Sequence, residues 1–196
     1  MNLTITLVSA GATKKNARGA LSVSSVEELS AKSQKELNKK MRSMNYPPVD
    51  QVYAGPETYC AQTAQIIYPE SLIAIRDKLK SYDYGDFAGL TAIEIKNNKQ
   101  FAQWAMSETI QPFPGGESYH VFSSKIGAEF ERIAVGAIEI GLSSIGIVAH
   151  GMNISVIMKK IHTPRILYTD WSVKSEDRIV IKYDSRTNTG YLEKNI

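Results

Sequence analysis

Two periods of hydrophobic and polar positions alternate along this chain. Near the amino terminus Leu3, Ile5 and Leu7 are separated by Thr4 and Thr6, the spacing of a half-buried strand over residues 2–8. After a polar, Ser-rich connection, Ser30 is placed to cap a helix on which Leu37, Met41 and Met44 recur at helical spacing. A short apolar run at 50–54 predicts a second strand. From Glu57, ETYCAQTAQII predicts a helix, with Thr58, Ala61, Ala64 and Gln65 three and four residues apart, and SLIAI at 71–75 predicts a third strand. The middle is less regular. YDYGDFAGLT carries two glycines and suits a surface loop, Thr91 begins a short helix, and PFPGGES at 112–118 is a turn-rich loop whose Ser118 caps a long helix running to about Gly141. SIGIVAHG is the clearest buried strand, and a helix follows it from about Met152 to Ile161. RIVIKY and GYLE, split by a polar turn, predict a closing hairpin.

Alternating strands and helices, with neither repeat nor linker, predict one α/β domain over residues 1–196. Its expected form is a three-layer sandwich, a mostly parallel sheet with helices on both faces. The length suits a single core, and 43% hydrophobic with 22% charged residues is an ordinary globular composition. A net charge of +3 is mild, and acidic residues are scattered among the lysine pairs, so no nucleic-acid groove is expected. The stretch from Ile140 to Met158 has no formal charge and nearly the length of a membrane span. Polar groups at Ser143, Ser144, His150, Asn153 and Ser155, with glycines at 146 and 151, divide it into strand, turn and helix, so no membrane span is expected. The single cysteine, Cys60, excludes an internal disulfide and fits a reducing, cytoplasmic setting; as a lone thiol it reads as a packed, inert side chain.

In sheets of this kind ligands gather where strand ends meet helix amino termini. VSAGAT and VAHG are two such ends, each passing from an apolar run into a small-residue turn that exposes N–H groups able to hold an anion. No Gly-x-Gly-x-x-Gly follows the first strand, which argues against a dinucleotide site.

Several stretches in order resemble the histidine phosphatase superfamily, which includes the phosphoglycerate mutases. SAGATKKN stands where that family has Arg-His-Gly-Glu-Thr and a later Asn, keeping Gly11, Thr13 and Asn16. LSAKSQ at 29–34 is similar to its Leu-Ser-x-x-Gly helix. AGPETYCAQTAQII at 54–67 resembles its Ser-Ser-Pro-Leu-x-Arg-Ala-x-Gln-Thr-Ala-x-Ile-Ile. YGDFAGLT, PGGES and VAHG match its later loops and its second catalytic His. The resemblance covers about residues 3–160 and implies a phosphoglycerate mutase-like fold.

The resemblance also implies what has changed. The family's first His attacks phosphorus, which needs an imidazole at near-attack distance; Ala10 holds that place. Two arginines and the second His surround the phosphoryl oxygens, and an acid protonates the leaving oxygen. Ser9 and Tyr59 replace the arginines and Ser81 the acid, so of these groups His150 alone is kept; Ala12 and Ala88 also replace acids. Losing two Arg contacts at about 1.5–3 kcal/mol each weakens phosphate binding by about 3–6 kcal/mol. So many concerted changes point to natural drift, since a substrate trap needs one.

The expectation is a catalytically inactive member retained for ligand binding, regulation or scaffolding; the alternative is a hydrolase rebuilt around His150. His150 is the candidate catalytic residue, and Ser9, Asn16, Tyr59, Ser81, Glu117 and Gly151 are candidate ligand contacts. Each has a structural reading beside the functional one. His150 could be a core histidine bonded to a neighbouring loop. Asn16 could tie down its own turn, Glu117 could serve N–H groups at a helix start, Gly151 could merely begin a helix, and Tyr59 could fill a vacated volume. His120 and His162 read as surface or loop residues. No metal site and no cofactor are expected. The expected partner is a small molecule or a protein, with a weakly held phosphate or other anion among the candidates, and the chain is expected as a monomer or homodimer.

Overall fold

The structure, a computed structural model, describes residues 2–21, 26–43, 46–100, 102, 111–161 and 174–193. Met44, the serines of the 22–25 connection and His162 lie outside the described residues. Strand β1 (Asn2–Ser9) is followed by α1 (Ala31–Arg42), β2 (Gln51–Ala54), α2 (Thr58–Ile67), β3 (Ile73–Ile75) and α3 (Ala92–Lys96). Then come α4 (Tyr119–Glu139), β4 (Ser144–Ala149), α5 (Gly151–Ile161) and the hairpin β5 (Arg178–Asp184) and β6 (Thr189–Leu192).

The helices begin where short polar side chains can satisfy their first N–H groups. Ser30 Oγ accepts from the Ser33 N–H and Ser118 Oγ from the Val121 N–H, both at 3.2 Å, and Thr91 forms a reciprocal capping box with Glu94. Gly141, at φ +79°, lets the chain leave α4 through the left-handed region. Among the described residues no helix is long and apolar enough to cross a membrane, and the uncharged stretch after Ile140 is divided between a helix end, β4 and α5.

The six strands form one sheet in the order β3-β2-β4-β1-β5-β6; the first four are mutually parallel, β5 runs antiparallel to β1, and β6 antiparallel to β5. Side chains of β1 alternate between its two faces. Leu3, Ile5 and Leu7 join Phe122, Ile126 and Phe130 of α4 and Ile154 and Ile157 of α5 in one buried cluster. Val8 joins Leu37 of α1 and Tyr59, Cys60, Ala64 and Ile67 of α2 in another. This makes the three layers, with α4 and α5 on one side of the sheet and α1 and α2 on the other. Register then places the functional ends together: Ser9 lies beside Ala149, and Ala54 beside Val148. The carboxyl ends of β1, β4 and β2 therefore form a row from which three chain segments turn into loops or helices.

Candidate functional site

The loop leaving β1 is held by partners from far along the chain. The Ala10 N–H donates to the Ala149 carbonyl at 2.9 Å, joining the ends of β1 and β4. Gly11 N–H donates to Thr63 Oγ1 (3.0 Å) and Ala12 N–H to Ser33 Oγ (2.8 Å). Ser33 Oγ in turn donates to Glu176 Oε1 at 2.5 Å. Amides that a strand-end turn could offer to an anion are thus occupied by side chains of α1 and α2, which revises the sequence expectation of exposed N–H groups here. Ser9 is 2% exposed, and its N–H and carbonyl pair with Asp177 and Glu176 at 2.9 Å each. Asn16 closes its own turn, its N–H donating to Thr13 Oγ1 (3.1 Å) and its Oδ1 accepting from that hydroxyl (3.2 Å).

Ala10 and Tyr59 belong to one buried apolar cluster, 5% and 1% exposed, together with Leu29 and Leu37. Gly11 is tight against the same group: a Cβ on it would sit 2.7 Å from Leu29 Cδ2. Space where the resemblance implies an attacking imidazole and a guanidinium is filled with hydrocarbon and an aromatic ring.

A different polar group has been assembled beside it. Glu57 is 2% exposed; its Oε1 accepts the Ser81 N–H at 2.6 Å and its Oε2 lies 3.7 Å from the Cys60 thiol. The sequence presents Glu57 as the start of α2, yet its side chain caps no N–H of that helix and reaches across the chain to Ser81. Ser81 itself is 7% exposed. Sequence reasoning missed Glu57; the available signal was a carboxylate where the resemblance implies leucine. Cys60 is fully buried as expected, and burial with the neighbouring Glu57 pushes its thiol well up, so it stays protonated and inert.

His150, partly exposed, ends β4 at the turn into α5, which opens at Gly151. Its Nδ1 accepts the Met152 N–H at 3.3 Å, which leaves Nε2 to carry the proton of the neutral ring. Burial lowers its affinity for a second proton below the ordinary imidazole range, and the Glu57 carboxylate opposes that shift. Asn153, fully buried in the first turn of α5, donates through Nδ2 to the Leu79 carbonyl at 2.6 Å. Glu117 accepts the Asp83 N–H (3.1 Å) and pairs with Lys125 (3.0 Å). His120 is exposed. Among the described residues no cluster of His, Cys, Asp and Glu is arranged to hold a metal ion.

A six-stranded sheet between two helix layers, with a histidine at the end of β4 in its middle, is the frame of the candidate site. The chain belongs to the histidine phosphatase superfamily (branch 1), whose family model matches residues 5–189. No curated protein sequence matches the chain. Solved structures with the same fold include an Escherichia coli K-12 protein described as a putative alpha-ribazole-5'-P phosphatase, at 18% identity and TM-score 0.79, covering 97% of this chain and 94% of that one. The phosphoglycerate mutase of Bacillus anthracis is similar at 17% identity and TM-score 0.80, with 99% and 92% covered. A phosphoserine phosphatase of Entamoeba histolytica, solved with 3-phosphoglyceric acid, is similar at 15% identity and TM-score 0.76, with 98% and 95% covered.

Proposed function

We propose that this chain runs no phosphohistidine chemistry and serves as a binding, regulatory or scaffold protein on the histidine phosphatase fold. The observation that carries this reading is the burial of Ala10 and Tyr59 in one apolar cluster. A methyl group and a phenol ring cannot supply the nucleophile and forked cation that such transfer needs. The engagement of the Gly11 and Ala12 N–H groups by Thr63 and Ser33 supports it further, because an incoming phosphate would have to displace both. The relatives named above catalyse reactions of phosphate esters, and that activity is the natural alternative here.

The expected result is no turnover of an aryl phosphate or of a panel of phosphosugars and phosphopeptides by the purified protein. Turnover abolished by His150→Ala would overturn the reading. A second reading, an enzyme using His150 as a general base on water, is favoured by the neutral ring fixed by the Met152 N–H. It requires a substrate-dependent activity that Ala10→His leaves unchanged.

A further inference from the structure

Gly55 sits at the end of β2, its N–H on the Val148 carbonyl at 2.9 Å, so it lies against the stretch that leads to His150. Its φ is not in the left-handed region, and what the position requires is space. A Cβ there would stand 2.9 Å from Glu57 Oε2, 3.2 Å from the Leu79 carbonyl and 3.5 Å from Cys60 Sγ. The absence of a side chain at 55 is what lets the Glu57 carboxylate fold back over the strand end. Glu57 Oε2 and the Leu79 carbonyl therefore converge beside Gly55, and the Asn153 amide donates to that same carbonyl.

The chemistry of that group is one-sided. Glu57 accepts from an N–H through one oxygen and from a thiol through the other, so both serve as acceptors. Asn153 Oδ1 is buried and, among the described residues, has no hydrogen-bond partner. A buried acceptor of this kind calls for a donor. The loop segments at 9–13, 55–60, 79–86, 114–118 and 149–153 hold Glu57, Asp83, Asp86 and Glu117, no arginine, and one lysine, Lys80, which is exposed. Glu117 is neutralised by Lys125; among the described residues Glu57 has hydrogen bonds but no ion pair.

We propose that Glu57 reverses the polarity of this site, so that the His150 end of the sheet binds a small cation bearing N–H donors and rejects phosphate monoesters. The proposal rests on the reading of the site as a binding site and names the class of ligand it takes. Glu57 acts as a specificity-determining residue from the end of β2, which lies beside the end of β4 that leads to His150; partly exposed His150 and the acceptor of Asn153 complete the recognition of a donor-rich head group.

The test uses the intact protein with nitrogen-15-labelled histidine, in which the three histidines give three pairs of ring-nitrogen signals and His150→Gln assigns one pair. Guanidinium and benzamidinium chlorides, and separately inorganic phosphate, are titrated while the His150 signal is followed. The expected result is a saturable shift with at least one cation, no saturable shift with phosphate, and affinity weakened about ten-fold or more in Glu57→Gln. Saturation by phosphate, failure of both cations, or cation affinity unchanged in Glu57→Gln would each overturn the proposal. The wild-type comparison of cation with phosphate stands even where the variant folds poorly. His150-dependent turnover of an aryl phosphate would sink the underlying reading, whereas failure of the cations without turnover would sink this inference alone.

Discussion

An imidazole at position 10 would have to enter a site where the methyl of Ala10 is already 5% exposed and shares its cluster with Tyr59, Leu29 and Leu37. Overpacking of this kind costs about 1–3 kcal/mol. Ala10→His is therefore expected to lower stability by that amount in urea unfolding without creating a phosphatase, and a stable variant with restored turnover would contradict the packing argument. His150 makes a second, pH-dependent contribution. Its folded ring titrates below the unfolded one, so as pH falls the unfolded chain takes up the proton first. Stability supplied by the neutral ring is full above about pH 6.5, the unfolded value, and is lost as pH falls through the folded value. Glu57→Gln removes the carboxylate that favours the charged ring, so this acid loss should extend to lower pH, and the His150 imidazole signal should titrate lower than in the wild type.

The turn between β2 and α2 joins two positions that explain each other. Gly55→Ser places a Cβ 2.9 Å from Glu57 Oε2 and should destabilise the wild type; in a Glu57→Leu background, where the carboxylate is gone, part of that cost should disappear. Equal costs in both backgrounds, measured by urea unfolding, would show that Gly55 is not making room for the carboxylate. The elements on either side were legible in the chain because their signals are local. Ser30 and Ser118 cap α1 and α4 where a short polar side chain before a periodic run predicts, and the two-residue alternation of Leu3, Ile5 and Leu7 is the buried face of β1. Glu57 was not legible in the same way. An acid three residues after a strand looks like a helix cap, and nothing nearby in sequence says that its partner is Ser81, 24 residues on. The hydrogen bonds from Gly11 to Thr63 and from Ala12 to Ser33 were hidden for the same reason.

Across the molecule, the sheet order brings β1, β4 and β2 into adjacent parallel register, and that arrangement delivers Ala10, His150 and Glu57 to one end of the fold. Sequence pattern predicted the strands and the mostly parallel sheet; the neighbour order depends on pairings between segments more than a hundred residues apart, such as Ser9 with Ala149, which periodicity does not encode. The family fold is thus kept, and on the proposed reading its strand ends are packed and acidic where the resemblance implies a cationic, nucleophilic site. This central claim is tested most directly by mass analysis of the intact protein, quenched under conditions that preserve phosphohistidine, after incubation with a reactive aryl phosphate. The unmodified mass is expected at every time point. A species heavier by one phosphoryl group, formed in the wild type and lost in His150→Ala, would contradict it.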